Sequence, residues 1–254
     1  MGITHLRLEM IIMGNELHSV HAIRRRLLTE MRTGMFAQSK KLPRETILSE
    51  RLGISRTQLR DVLAGLEQEG YVTRRLGVGT MINHHVLNVK SRMDIEAEIL
   101  DIIRNNGYKA EIFFQNAEEM YAKGILVEKL KIEEGTPVLS VSKVCTADGI
   151  PALYFQDFLD KRIIQKEFCK EDLKEPIFKF LREKCNTEAY MDLTQIQAVA
   201  ADEEIAEILD IPKGTPVLNM EEVDYNIEGN IVFYSRQFFK DGMFEQTVLR
   251  KRLY

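Results

Sequence analysis

The sequence is poor in the residues that most often carry chemistry. Its three cysteines, Cys145, Cys169 and Cys185, include no C-x-x-C pair. An odd number without metal or redox spacing excludes a disulfide framework and a cysteine zinc site, and reads as free thiols in a reducing compartment. The histidines, His5, His18, His21, His84 and His85, all lie early in the chain. Everything after them lacks an imidazole for a Ser-His-Asp or Cys-His hydrolase, or for a histidine metal site. His84-His85 could form a metal pair, but a solvated linker is the better reading of that dipeptide. No run approaches about 18 apolar residues, the length that would suggest a membrane span. The start is broken by His5, Arg7 and Glu9, unlike a signal-peptide core. The phosphate loop G-x-x-x-x-G-K-[ST] is missing, and Gly77-x-Gly79 lacks the third glycine of a dinucleotide site. The expectation is a soluble, cytoplasmic protein with no cofactor, metal or membrane partner. Met1, Met10 and Met13 lie so close together that residues 1–16 read as an extension or a misplaced start, outside the fold.

What is present is apolar material and an uneven charge. The chain has 254 residues, 44% of them hydrophobic, enough for two cores. Residues 1–90 carry 14 basic and 8 acidic side chains, whereas residues 91–254 carry 21 and 31. The first part suits a polyanion and the second does not, so the two parts face different partners.

Helical spacing is dense in the basic part. Ile23, Leu27, Leu28 and Met31 recur on one face and Gly34 marks the end. After Leu42-Pro43, the residues Ile47, Leu48 and Leu52 form the apolar stripe of a short helix that stops at Gly53. Ser55 then suits an N-cap, and Leu59, Val62, Leu63 and Leu66 repeat at i, i+3, i+4, i+7. At about 100° per residue, Arg56, Thr57 and Arg60 fall on the opposite arc. Tyr71 to Arg75 and Thr80 to Ile82 read as strands joined by the glycine turn Leu76-Gly77-Val78-Gly79. Helix, short helix, three-residue turn, polar-tipped helix and hairpin make a winged helix-turn-helix over residues 17–83.

Residues 84–91 carry no strong pattern and are expected to be the linker, with a second domain over 92–254. An amphipathic segment (Ile95, Ile99, Ile102, Ile103), a strand over Ala110 to Phe114 and a helical run from Ala117 to about Leu130 follow. An internal repeat then dominates: Leu130-Lys131-Ile132-Glu133-Glu134-Gly135-Thr136-Pro137-Val138-Leu139 returns 79 residues later as Leu209-Asp210-Ile211-Pro212-Lys213-Gly214-Thr215-Pro216-Val217-Leu218. Each copy runs through a strand to a turn, Asp148-Gly149 or Glu228-Gly229, and into an aromatic strand, Tyr154 to Leu159 or Tyr234 to Phe239. The unit is a loop plus a β-hairpin, and two copies imply an antiparallel sheet with approximate twofold symmetry. Helices at Ile177 to Leu181 and Glu203 to Leu209, around a strand from Tyr190 to Val199, complete an α+β domain.

The run Leu42-Pro43-Arg44-Glu45, Ser55-Arg56-Thr57, Leu59-Arg60, Leu66-Glu67-Gln68-Glu69-Gly70-Tyr71 and Gly77-Val78-Gly79-Thr80 resembles the GntR family of bacterial transcription factors. The two Gly-Thr-Pro-Val-Leu hairpins and Lys240-Asp241 resemble the chorismate-lyase-like UTRA effector domain of its HutC subfamily. The resemblance implies a homodimer that binds a near-palindromic double-stranded DNA operator and responds to a small-molecule effector, here read as a repressor rather than an enzyme. It places the operator contacts on Arg56, Arg60, Thr57, Gln58 and the wing glycine Gly77. Where the family often has arginine after Leu-Pro-x-Glu, this chain has Thr46. Ser55, Arg44, Arg74 and Arg75, with Lys40 and Lys41, complete the DNA-binding set, the basic ones suiting phosphates, whose contacts give affinity without sequence preference.

For the effector, Lys143 and Asp157 each sit on an apolar strand face, where a charge needs a partner. The repeat aligns Lys143 with Glu222, and Tyr154, Tyr225, Tyr234 and Arg236 are included in the candidate pocket. Relatives that sense sugar phosphates carry two arginines where this chain has Lys143 and Cys145. Lysine lacks the bidentate fork, so a sugar phosphate fits less well than in the family at large, and Asp157 favours a polar or amine-bearing ligand. Two other readings stay open at this level. One is a chorismate-lyase-like enzyme with a nucleic-acid-binding domain, and the other is a winged helix that binds RNA or protein.

Overall fold

The computed structural model describes residues 19–95 and 98–252. They form two units, one of residues 19–95 with 246–252 and the other of residues 98–245. The proposed extension 1–16, and the first two residues of the expected DNA-binding domain, lie outside the described residues.

In the first unit Ser19 caps α1 (Val20–Arg32) by accepting from the Ala22 amide at 3.2 Å. Helix α2 (Glu45–Leu52) ends where Gly53 turns left-handed, at φ +69°. Ser55 and Gln58 form a reciprocal capping box at the start of α3 (Arg56–Gln68). Strands β1 (Val72–Arg75) and β2 (Gly79–Ile82) make the wing, and Lys41 bridges to Met81 beside it. Leu27, Met31, Leu48, Leu59, Leu63 and Leu66 pack at the centre of one core. Ile47, expected in the stripe of α2, is instead 43% exposed. In this helix of eight residues the buried positions are Leu48, Ser49 and Leu52, an arc that leaves Ile47 at its edge.

Residues 84–91 are not the expected linker. His84–Leu87 form a short helix, α4, whose Val86 and Leu87 are buried in the same core. Two apolar residues are too few to show a helical period, which is why the segment reads as featureless.

The second unit is a six-stranded antiparallel sheet whose strands lie side by side in the order 110–121, 137–147, 150–160, 231–240, 216–225 and 191–200. After α5 (Ile99–Asn105) come β3 (Ala110–Tyr121), α6 (Ile125–Leu130), β4 (Pro137–Ala147) and β5 (Ile150–Asp160). A short helix α7 (Ile177–Phe180), continued by a π-turn over Leu181–Cys185, leads to the second copy. That copy is β6 (Met191–Ala200), α8 (Glu203–Leu209), β7 (Pro216–Tyr225) and β8 (Ile231–Lys240).

The helix expected from Ala117 is only Ile125–Leu130, because β3 runs on to Tyr121 through a bulge between Phe114 and Asn116. Ala117, Glu118, Glu119 and Met120 favour helix locally, yet each pairs with β4 in an edge strand, and pairing outweighs propensity.

The repeat is reproduced bond for bond. The Gly135 amide donates to Ala122 and the Ala122 amide to Thr136, both at 2.8 Å, while Gly214 donates to Ala201 at 2.8 Å and Ala201 to Thr215 at 2.9 Å. Lys131 and Asp210, which follow the two helices, both turn left-handed, at φ +51° and +50°. The pairing of β5 with β8 places the approximate twofold axis at the centre of the sheet. Between β4 and β5, Asp148 and Gly149 take φ +52° and +82°, as a tight two-residue hairpin requires.

Candidate functional site

Two groups of side chains stand out, one in each unit. On the first, the opening turns of α3 present Arg56, Thr57 and Arg60 to solvent, with Gln58 half-buried in the capping box. Arg56 makes no ion pair among the described residues. The Arg60 Nε donates to a Glu45 carboxylate oxygen at 2.8 Å, so α2 helps to aim it. Glu45 stands in the Leu42-Pro43-Arg44-Glu45 run but is given no role at the level of sequence, because its pairing with Arg60 is set by the fold. Arg44, Thr46, Ser55, Arg75 and Gly77 are also exposed. Gly77 takes φ +77° in a wing tip whose Leu76 is fully exposed.

Arg74 is engaged differently from Arg75. Its amide and Nε both donate to Glu67 at 2.6 Å, joining the wing to α3. Burial pushes the Glu67 carboxyl up, but the hydrogen bonds and charge of Arg74 and the charge of Lys251 outweigh it, and the carboxyl sits below its ordinary value. His84 contacts the Ser39 carbonyl at 2.9 Å, and no group of metal-ligating residues occurs among the described residues.

In the second unit, Lys143, Asp157 and Glu222 lie on one face of the sheet. Asp157 pairs in register with Val141 and Ser235, and Ser235 with Glu222. Glu222 accepts from the Gln237 side-chain Nε2. Lys143 is 2% exposed and donates to the Glu175 carbonyl, with its ammonium 5.9 Å from the Phe155 ring centre. Burial lowers its pKa, against the opposing pull of Asp157, Cys145, Glu175 and Glu98.

Asp157 is 1% exposed and its Oδ2 has no hydrogen-bond partner among the described residues. Burial raises its carboxyl to about 6, while Lys143 and the Ser235 hydroxyl act in the other direction. Burial likewise pushes the Cys145 thiol up to about 12, so it stays neutral. Glu98, just before α5, is raised by burial and Asp101 and lowered by Lys143 and Arg182. Neither Glu98 nor Arg182 carried a sequence signal, since loop and helix residues have no register with a strand face. Leu173, Glu175, Ile177 and Phe180 close over Lys143 and leave a cavity of about 10 Å³, room for one water at most.

The structure does not bring the other four candidates to this face. Tyr154, Tyr234 and Arg236 occupy the opposite face, and Tyr225 packs beside Tyr234 there. Tyr154 stacks on Phe238 at 6.2 Å and Tyr234 on Phe158 at 5.7 Å. Arg236 lies 5.3 Å from the Phe238 ring centre. Lys129 pairs with Glu221 at 3.1 Å and sits 5.7 Å above Tyr234. Burial, then Glu221, holds the Tyr234 phenol above its ordinary value. Strand alternation separates the two sets: Tyr154 alternates with Phe155 and Asp157 along β5, and Tyr234 and Arg236 flank Ser235, the β8 residue in register with both Asp157 and Glu222.

A helix-turn-helix with an exposed basic first turn, and a twofold-repeated sheet that buries Lys143 and Asp157 on one face, are now placed within known families. Residues 20–82 match the gntR family of bacterial regulatory proteins, and residues 106–245 match the UTRA domain. The chain belongs to the GntR family of bacterial regulators with a UTRA domain. It is 25% identical over 236 residues to the HTH-type transcriptional regulator RB1450 of Rhizobium meliloti, covering 84% of this chain and 87% of the relative. Its fold resembles the possible transcriptional regulator YydK of Bacillus subtilis, with a TM-score of 0.74 at 18% identity over 90% of this chain and 99% of the other. It also resembles PhnF of Mycobacterium smegmatis, with a TM-score of 0.58 at 20% identity over 92% and 99%. This GntR protein is therefore a ligand-responsive, DNA-binding transcriptional regulator. No described helix is long and apolar enough to cross a membrane.

Asp157 gives the UTRA domain a pH dependence of known sign. Because its folded value of about 6 lies above the ordinary carboxylate value of 3.8, its contribution to stability is full below about 4 and disappears as pH rises through 6. Between pH 5 and 7.5 the loss is on the order of 1 kcal/mol. Asp157→Asn is expected to abolish that portion of the pH dependence. Hydrogen exchange of β4 and β5 amides at the two pH values checks it, and an unchanged difference in the variant would assign the titration to another group.

Proposed function

We propose that this GntR regulator is a cytoplasmic, homodimeric repressor, not an enzyme, whose operator affinity is set by a small polar metabolite. The exposed first turns of α3 carry the reading. Arg56 and Arg60 read base edges in the major groove of a near-palindromic operator, with Thr57 and Gln58 beside them. Ser55, Arg44, Thr46, Arg75 and Gly77 line the phosphates, joined by Arg74 as it holds the wing. An arginine that donates two bonds to guanine discriminates by about 1 to 3 kcal/mol.

The effector is held on the Lys143 face. Entry requires the segment around Glu175 to withdraw, so an anionic or hydroxylated group of the ligand takes the place of the Glu175 carbonyl on Lys143. A donor, such as an amine, meets the unpartnered Asp157 oxygen. With Lys143 and a neutral Cys145 where the phosphate clamp would stand, a sugar phosphate fits poorly. The tyrosines and Arg236 serve the opposite face. The ligand shifts populations between two arrangements, and a tenfold change in DNA affinity needs a coupling of only about 1.4 kcal/mol.

The test is binding to the gene's own upstream DNA at about 0.15 M salt, a concentration at which nonspecific contacts are weak. Excess nonspecific competitor is included, with and without a library of small polar metabolites. A competitor-resistant, symmetric footprint released by an amine-bearing compound supports the reading. A complex erased by competitor counts against it, and turnover of a bound compound would favour an enzyme.

A further inference from the structure

The final residues of the chain return to the DNA-binding unit and finish its fold. Thr247 pairs with Arg92: the Met93 amide donates to the Thr247 carbonyl at 2.9 Å and the Thr247 amide to Ser91 at 3.2 Å. The Ser91 hydroxyl donates to Gln246 at 2.9 Å and the Leu249 amide to Asp94 at 3.2 Å. Leu249 packs on the helix-turn-helix core and fills the space beside Gly70, where a Cβ would meet its Cδ2 at 2.4 Å.

These residues end on the base of the recognition helix. The last turn of α3 contains no cation and is followed by Glu69, with Glu67 within it, an acidic end that opposes the helix dipole. Its carbonyls are held from outside. The Lys251 ammonium donates to the Glu67 carbonyl at 2.7 Å and to that of Gln68 at 2.6 Å, and Arg92 donates to that of Glu69 at 2.7 Å. Arg92 also pairs with Asp94 and lies 5.1 Å from the Tyr71 ring centre. Leu66 and Glu67 also accept from the Tyr71 and Gly70 amides, at 2.8 and 3.0 Å, whereas the carbonyls of Gln68 and Glu69, which no further helical turn could satisfy, are met by Lys251 and Arg92.

We propose that residues 246–252 are part of the DNA-reading apparatus, with Lys251 and Leu249 as positioning residues that hold the far end of α3. This rests on the function proposed above. The contacts of Arg56 and Arg60 lie at one end of the helix and the tail's hold lies at the other, so any tilt of the base moves the reading turn. Lys251 acts through carbonyls and not through phosphate, which separates two outcomes experimentally.

The experiment uses the full chain and a duplex selected by it from random sequence, against a scrambled duplex of equal length. Lys251→Met is expected to lower the ratio of specific to nonspecific affinity about tenfold while leaving the salt slope unchanged. Lys251→Arg is expected to restore the ratio. Leu249→Ser should do the same as Lys251→Met, and hydrogen exchange at the amides of Gly70 to Val72 should quicken in both. A ratio within twofold of wild type overturns the proposal. So does a salt slope reduced by about one with both affinities falling together, which would make Lys251 an ordinary phosphate contact. A wild-type chain that selects no duplex overturns the function reading itself, a result distinct from either.

Discussion

Replacing Arg56 and Arg60 together by alanine is expected to lower specific operator affinity by between about 30-fold and 10⁴-fold, from two contacts of about 1 to 3 kcal/mol each. Nonspecific binding should fall far less, because exposed basic residues such as Arg75, Lys40 and Lys41 remain. The two arginines are not equivalent. Arg56 extends into solvent without an ion pair among the described residues, whereas Arg60 must exchange Glu45 for a base. Their 2.8 Å pair is exposed, 59% on the arginine side, so that exchange costs little. Arg56→Ala should therefore show the full loss of its contact, and Glu45→Gln should leave specific binding within a fewfold of wild type. Competition binding against scrambled duplex checks both. Wild-type affinity in the double variant would remove α3 from the reading role.

Lys143→Met is expected to destabilise the UTRA domain by about 3 to 5 kcal/mol at pH 7.5, the range for leaving a buried charge without its compensating one. The reason lies in what remains. Asp157 would keep a buried carboxylate with an unpartnered oxygen and no ammonium nearby. At pH 5, below the value of about 6 that Asp157 has even with Lys143 present, the carboxyl takes up a proton and most of the cost should vanish. The measurement is hydrogen exchange in β4 and β5 at both pH values, which reports this unit separately in a chain of two units. An equal loss at the two pH values would mean that Lys143 contributes packing alone. Asp157→Asn is the milder change, because an amide can be buried without charge.

How much of this could be read in the residues follows the range of the physics involved. The three helices and wing of the first unit, and the two hairpins of the second, rest on short-range signals: caps, apolar periods and turn glycines. All of these fall within a few residues of the positions they determine. The exceptions are long-range. Ala117 to Tyr121 reads as helix because its propensity is local while its pairing with β4 is not. Val86 and Leu87 belong to a core assembled from residues far earlier in the chain. The burial of Lys143 and Asp157 on one face was legible because both are charges on apolar strand faces. Assigning Tyr154, Tyr234 and Arg236 to the same pocket ignored strand parity, which the sequence does contain. Glu45 beside Arg60, Glu98 beside Lys143 and Lys251 at the end of α3 needed three-dimensional proximity that no spacing rule supplies.

The return of residues 246–252 to the first unit bears on how such regulators can be recombined. A chimera built by cutting near residue 96 and attaching a foreign sensor would appear, on a linear map, to keep the whole DNA-binding domain. It would discard Leu249 and Lys251, and with them a side chain from the floor of that domain and the cation at its helix end. A working graft must carry residues 246–252 along as a second, discontinuous piece of the reading head.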